Sequence, residues 1–556
     1  MPKFGEVELP SLTQKAFPED TSAVAAILYD VGETHFTDEL NIEFKRRIRI
    51  KIYKKEGFSW ATLVIPLYVK NKPIVERLES LKAVSLNYDN GQITWQEIDK
   101  KDIFTEKYDE YIDLVKATVP NVREGTVIEF EYVVFTPYEV NLPDWNFQYS
   151  IPVVWSEYKV VLPPFYNYQM VGTGFEKLFL NESKATNYER KIGPYTFNES
   201  EYRLALKNVP AFKEEPFMTS EKNYRARMDF QLASVNFPNR LARNYITTWP
   251  ELIQKVLKDY SIGEYLDDRA TKDQALEIAA AHSSPLARAK SIYEFVRNRF
   301  KRDGWFNTQL RQSPEALLTS LTGNVSEINI LLCNMLRQAG LTAHPVVLST
   351  RDNDQVKISY PLWEDFNYAV VLQEAEGQRF LLDASNPLLV FGMLRPECIN
   401  GFGLLLALEK GGTESWIDLK QALEYDYRTN VLMRYQPDTQ SYTQQVSLLL
   451  GQYAAWEARH ENLNSEFIKS RYASANPSEI KIENGQDISK GLSTRFKGES
   501  DLEAQADILY ISLPFLPDIL LENPFKNPVR TFPVDFNYKR AYSYLLNIEV
   551  PPGYAV

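Results

Sequence analysis

From about residue 20 to residue 220, apolar and polar side chains alternate in short runs. In "FKRRIRIKIYKK", Ile48, Ile50 and Ile52 alternate with Arg47, Arg49 and Lys51, the period-two pattern of a strand with one dry and one wet face. "GTVIEFEYVVFTP" and "SEYKVVLPP" read the same way, and clusters of Pro, Asn and Gly interrupt the runs. The pattern predicts an antiparallel β-sandwich, assigned to residues 1–225.

After about residue 240 the period lengthens. "TTWPELIQKVLKDY" sets a threonine ahead of a proline in a first helical turn. "SSPLARAKSIYEFVRNRF" places Leu286, Ala289, Ile292, Tyr293 and Val296 on one stripe. "GNVSEINILLCNMLRQAG" follows, with Ile328, Leu331, Leu332, Met335 and Ala339 at helical spacing. Its Asn324 is a good N-cap, Glu327 stands three residues on as in a capping box, and Gly340 supplies the stop. Three strand-like runs come next: "TAHPVVLST", "NYAVVLQ" and "QRFLLDAS". This block, residues 226–410, reads as α+β.

Short strands return in residues 411–556, in "NVLMRYQ", "YTQQVSLLLGQYAAW", "EIKIENG", "ADILYISLP" and "AYSYLLNIEV", while "WEARHENLNSEFIKSRYA" looks helical. The chain stops at "VPPGYAV" without an evident closing element, as expected of a truncated last domain. The fold class is therefore α+β and multidomain. A length of 556 residues suits about three domains of ordinary size.

Composition narrows the function. The net charge of −12 has the wrong sign for gripping phosphate backbones, so no nucleic-acid partner is expected. Runs such as "LLCNML" fall short of a membrane span, so the chain is not expected to be an integral membrane protein. The start, "MPKFGEVELPSLTQKAFPED", shows no signal peptide, which fits either a cytoplasmic protein or a trimmed mature form. Cys333 and Cys398 make no CxxC pair and no ligand cluster with the four histidines, so neither a metal nor a cofactor is expected.

The helix opening at Val325 has the grammar of a nucleophile helix. A cysteine in the first turn would feel the helix dipole and become a reactive thiolate. "GNVSEIN", "FNYAVV" and "LLDAS" occur in the order in which the transglutaminase-like branch of the papain-like cysteine enzymes carries its Cys, His and Asp motifs. Roughly residues 280–400 resemble that family.

The resemblance implies nucleophilic catalysis on amides by a Cys-His-Asp set. It places Val325 at the cysteine position, Tyr368 at the histidine position and Asp383 at the aspartate position, so only the orienting acid remains. Valine has no nucleophilic atom, and a phenol with a reference pKa near about 10 is a poor base at neutral pH. Trp305, Asn324, Ser326, Glu327 and Asn367 are the further cleft candidates.

Neighbours are weak substitutes for the nucleophile. Ser326 is turned by roughly 100° from Val325. Cys333 lies about 12 Å along the axis, on a half-buried side. Cys398 follows "LRPE" and has no histidine near it in sequence. Simpler readings stand beside each assignment: Val325 as an inward-packing helix residue, Tyr368 as a strand aromatic, Asp383 as a turn former, His344 as a strand or loop histidine, and Trp305 as a core or lid residue.

The flanks "FQYSIPVVWSEYKVVLP", "NVPAFKEEPFMTSEKNY" and "NPFKNPVRTFPVDF" resemble the β-domains on either side of transglutaminase-like domains in Bacteroidetes envelope proteins, a lineage in which the Cys and His are often missing. This implies an exported, periplasmic or envelope-associated pseudoenzyme that binds a peptide or protein, or acts as a scaffold. Two alternatives stay open. One is an active transferase or peptidase on protein or peptide amides, with Ser326 or Cys333 as nucleophile; the other is a glycan-binding module, for which 33 tyrosines are weak support.

Overall fold

The computed structural model describes the chain apart from residues 1–2, 70–74, 109–110, 141, 246–247, 260, 305, 360, 408–415, 502, 506–507, 512–513, 517–520 and 556. It is a multidomain α+β protein, and it divides into two compact units. Met1–Glu215 with Glu221–Ile246 form the first; Pro216–Ser220 with Thr247–Val556 form the second.

The first unit is built on an eight-stranded sheet. Its strand order is Leu180–Ala185, Ser200–Val209, Val153–Leu162, Ala25–Phe36, Ile42–Ile52, Val127–Thr136, Arg77–Asp89 and Gln92–Glu97. All neighbours are antiparallel except Ala25–Phe36 with Val153–Leu162, which run parallel and so depart from the purely antiparallel expectation. A smaller sheet containing Tyr166–Thr173 and Arg227–Val235 shares its apolar core. The strand Arg227–Val235 therefore belongs with the N-terminal sheets, and the boundary drawn at residue 225 moves to 246.

The expected dry face is dry: Ile48, Ile50 and Ile52 are buried. The expected wet face is not wet. Arg49 and Lys51 are buried too, because the segment Gly5–Leu12 crosses that side of the sheet. Arg49 pairs with the buried Glu129 at 2.7 Å, and Arg47 pairs with the same carboxylate. Lys51 Nζ donates to the carbonyls of Leu12 and Gly125 at 2.8 and 2.6 Å, and burial draws its ammonium pKa down to about 8. Local alternation fixed the strand, but a distant part of the chain decided which face met water.

In the second unit, elements are numbered from Thr247 onward. Helices α1 (Trp249–Asp259), α2 (Ile262–Asp267), α3 (Lys272–Ala280), α4 (Pro285–Arg299) and α5 (Pro314–Ser320) precede α6 (Val325–Gln338). Strands β1 (Thr342–Leu348), β2 (Tyr368–Ala375), β3 (Gln378–Leu382), β4 (Phe402–Leu405) and β5 (Trp416–Asp418) form an antiparallel sheet in the order β3-β2-β1-β4-β5. Helix α6 lies against β1 and β2 and also meets α2, α3 and α4. Every residue from Val325 to Leu336 is buried, so the single stripe read from the sequence is too narrow. Cys333, expected on a half-buried side, is fully buried. A helix enclosed on all sides must satisfy its polar side chains internally. Asn334 does so by donating to the carbonyls of Tyr265, Leu266 and Asp268 and accepting from Thr271.

The C-terminal segment adds β6 (Tyr425–Gln436), β7 (Ser441–Gly451), α7 (Gln452–His460), α8 (Ser465–Arg471), β8 (Ser478–Glu483), β9 (Leu492–Asp501) and β10 (Arg540–Ile548). The strands form one sheet in the order β8-β9-β7-β6-β10, with β6 and β10 parallel. "YTQQVSLLLGQYAAW" is not one strand: it turns helical at Gln452. Among the described residues, no helix is long and apolar enough to cross a membrane.

Candidate functional site

Asn324 caps α6. Its side chain accepts from the Glu327 N–H at 2.9 Å, while Glu327 accepts from the Asn324 N–H at 2.7 Å, completing the capping box. Glu327 also accepts from the Arg311 and Gln312 N–H groups at 2.7 and 3.1 Å, which ties the preceding loop to the helix start. Gly323 is required there, since a Cβ would stand 2.8 Å from Glu327 Oε2 and 2.8 Å from Leu317 Cδ1. Gly323→Ala is expected to lower the melting temperature, because neither neighbour can move without breaking the cap or the α5 contact; unchanged melting would show that the loop yields.

This arrangement presents Val325, which is fully buried in one apolar cluster with Tyr368, Leu389, Leu394 and Cys398. Tyr368 opens β2 and donates from Oη to Asp383 Oδ2 at 2.8 Å. The other oxygen, Asp383 Oδ1, accepts from Asn329 Nδ2 at 3.0 Å, the Ser385 N–H at 2.9 Å and Ser385 Oγ at 2.7 Å. Asn329 stands four residues after Val325, one turn along α6. It also donates to the Ala369 carbonyl and accepts from the Ala384 N–H, both at 2.8 Å, so one amide binds the helix to β2 and to the turn after β3. Tyr293 of α4 closes the back of the site by donating to the Asp383 carbonyl at 3.0 Å.

The fold thus brings Val325, Tyr368 and Asp383 together, and all three are fully buried. Burial, reinforced by the Asp383 charge, holds the Tyr368 phenol well above its ordinary pKa, so it serves as a proton donor and not a base. Cys398, remote in sequence, packs beside Tyr368. Burial and then Asp383 push its thiol well above the usual range, the opposite of what a nucleophile needs. The Phe306 ring lies edge-on to Tyr368 at 5.2 Å, with the guanidinium groups of Arg302 and Arg395 5.0 and 5.4 Å from its centre.

The remaining candidates face elsewhere. Ser326 Oγ donates to the Asn307 carbonyl at 2.6 Å. Glu327 is spent on the cap and the loop. Asn367 clasps Thr350, accepting from its N–H at 2.9 Å and donating to its hydroxyl at 2.8 Å. His344 lies on β1. Trp305 lies outside the described residues.

Within the loop that Asn367 closes, burial raises the Asp365 carboxyl to about 6. The folded state therefore holds a proton that the unfolded chain releases near about pH 4. The associated stability is complete below that pH and is lost as the pH rises through about 6. Asp365→Asn should gain on the order of 1 kcal/mol at pH 7.5 and nothing at pH 4, read as melting temperatures at both values.

Asn329 and Ser385 carry the Asp383 contacts and were not among the residues singled out from the sequence. Asn329 was legible as a polar residue one turn after Val325 in an apolar helix. Ser385 was legible as the second residue after an aspartate that turns the chain.

Residues 272–375 match the model of the transglutaminase-like superfamily, from the first residue of α3 to the last of β2. This block is a transglutaminase-like domain. Asp383 falls eight residues beyond the matched span. No curated protein matches the chain. Among solved structures, a protease candidate from Parabacteroides distasonis aligns over 86% of this chain and 93% of its own, with 10% identity and a TM-score of 0.49. A cysteine-protease candidate from Cytophaga hutchinsonii aligns over 63% and 81%, with 11% identity and a TM-score of 0.19. Within the matched span the helix N-terminus carries valine and the opening residue of the second strand carries tyrosine; Asp383, just beyond the span, accepts a hydrogen bond from that tyrosine.

Proposed function

We propose that this chain is a catalytically inactive transglutaminase-like protein, working as an exported peptide- or protein-binding or scaffolding module of the cell envelope. The observation that carries the reading is the Tyr368–Asp383 hydrogen bond in a buried cluster with Val325. Where a nucleophile and a base would meet, the chain places a methyl-bearing side chain and a phenol bonded to the acid. Neither accepts a proton at neutral pH. With all three fully buried, Asp383 works as the centre of a hydrogen-bond network that fastens α6 to the sheet.

An active enzyme working through Ser326 would need a base within reach of its hydroxyl. The acceptor beside that hydroxyl is the backbone carbonyl of Asn307, which cannot serve as one. The envelope assignment rests on the resemblance of the flanking β segments, and fractionation of native cells tests it; recovery in the cytoplasm would overturn it.

The test of inactivity is turnover by the whole chain. Amine incorporation into a glutaminyl peptide, deamidation and peptide cleavage are all expected at the buffer rate. A rate above it that disappears on substituting Ser326, Cys333 or Cys398 would sink the proposal.

A further inference from the structure

The C-terminal sheet and helices α7 and α8 line a half-open cavity of about 240 Å³. A second space of about 570 Å³ adjoins it, since Arg540 and Tyr542 line both. Together they reach the size of ordinary ligand pockets, roughly 300–1,000 Å³. The inner cavity has an aliphatic floor, with Leu448 and Leu450 from β7 and Leu463 and Ile468 from the helical side. Such a floor favours an apolar side chain. Glu457, Glu461, Arg471 and four tyrosines line the same cavity above that floor.

The side chains where the two spaces meet are aromatic and cationic. The Tyr425 ring is nearly parallel to those of Tyr427 and Tyr538, with interplanar angles of 5° and 4°. The Arg540 guanidinium sits 5.1 Å from the Tyr425 ring centre and 5.2 Å from that of Tyr538. Arg540 Nε is buried and has no acceptor among the described residues, while Nη1 makes only a long 3.4 Å contact with Tyr542 Oη. A buried guanidinium N–H without an acceptor is costly, and an incoming anion would relieve that cost.

The outer space is lined by Lys420, Lys539 and Arg540 with no acid among its lining residues, an inversion of the chain's net charge; Lys539 reaches Glu424 only at 4.0 Å. Glu457 and Glu461 line the inner cavity, as does Arg540, whose charge Glu457 already meets electrostatically; an anion therefore has the outer, lysine-lined side of Arg540 open to it.

We propose that the joined cavities bind the carboxy-terminus of a peptide whose last residue is large and apolar. Its side chain fills the inner cavity, and its terminal carboxylate accepts from Arg540 with Lys539 at the rim. Side chain and carboxylate then belong to the same residue, in keeping with Arg540 lining the cavity that Leu448, Leu450 and Ile468 also line. The inference stands apart from the question of turnover.

Titration calorimetry on the full chain tests it, with Gly-Gly-Gly-Phe as the free acid, the same peptide as its amide, and a neutral trisaccharide. The free acid should bind at least tenfold more tightly than the amide, and the trisaccharide should not bind. Arg540→Gln and Lys539→Gln should each erase part of the acid–amide difference, and Ala458→Phe, which fills the inner cavity, should abolish binding of both peptides. Melting curves establish that each variant is folded; Lys539→Gln, on the exposed rim, serves if the buried variants are not. Equal binding of acid and amide, binding of the trisaccharide alone, no binding at all, or an acid preference that survives every folded variant would overturn the proposal.

Discussion

Asp383→Ala is expected to destabilise the unit containing the transglutaminase-like domain by about 3–5 kcal/mol, a loss on the scale of removing one partner from a buried charged network. The carboxylate accepts from Tyr368, from Asn329 and twice from Ser385, and it is fully buried. Truncation leaves one N–H of Asn329 and the Ser385 N–H without their acceptor, while Tyr368 Oη and Ser385 Oγ, 2.9 Å apart, can still pair with each other; each unsatisfied donor costs about 1–3 kcal/mol. The helix is affected along with the strand, because Asn329 holds both through the same amide. Asp383→Asn should cost less, since an amide oxygen still accepts from Asn329 and Ser385 while its N–H group can donate to Tyr368 Oη. Thermal unfolding followed by circular dichroism reads both variants. An aspartate acting only as a turn former would lose less than about 1 kcal/mol on the same change, so parental melting of Asp383→Ala would return it to that lesser role.

The second large effect is a gain. Val325→Cys combined with Tyr368→His should produce a thiol whose reactivity depends on the imidazole. The new thiol sits at the first residue of a 14-residue helix, where the dipole favours a thiolate. The imidazole replaces a phenol already bonded to Asp383, so the acid that holds Tyr368 would hold the ring. In Val325→Cys alone, the apolar surroundings push the thiol pKa upward instead.

Alkylation by iodoacetamide at pH 6 should therefore be at least tenfold faster in the double variant than in the single one. Turnover of a glutaminyl peptide is not expected from either, since all three positions are fully buried and the local opening that admits a small alkylating reagent does not admit a peptide. Tyr368→His also removes ring contacts with Phe306 and costs about 2–4 kcal/mol, so the melting temperature should fall as reactivity rises. Identical alkylation profiles with and without the imidazole would mean that the two positions no longer face each other as a catalytic pair.

Much of this was legible in the chain. Asn324, Glu327 and Gly340 announced a capped helix because capping uses neighbours three residues apart, which a sequence displays directly. "FNYAVV" and "LLDAS" announced strands because a short apolar run bounded by turn residues is a local signal. Their order made the family resemblance readable, and the matched span confirms the transglutaminase-like domain.

Other features escaped because their causes are distant. Arg49 and Lys51 carry the pattern of a wet face, but the segment around Glu6 and Leu12 covers them. "WEARHENLNSEFIKSRYA" is helical as read, and the structure divides it into α7 and α8, with Asn464 capping the second. Cys398 has no chemical partner near it in sequence, yet it packs against Tyr368.

By itself, then, the sequence determined the elements, their order, and the absence of a nucleophile and a base from the expected places. Each of those depends on residue identity and short-range spacing. Only the tertiary structure decided that Val325, Tyr368 and Asp383 share one fully buried site, that Asn329 and Ser385 complete it, and that the cavities lined by Arg540 lie in the C-terminal sheet. Burial and hydrogen-bond partnership are set by which distant segments pack together, and no local pattern encodes that.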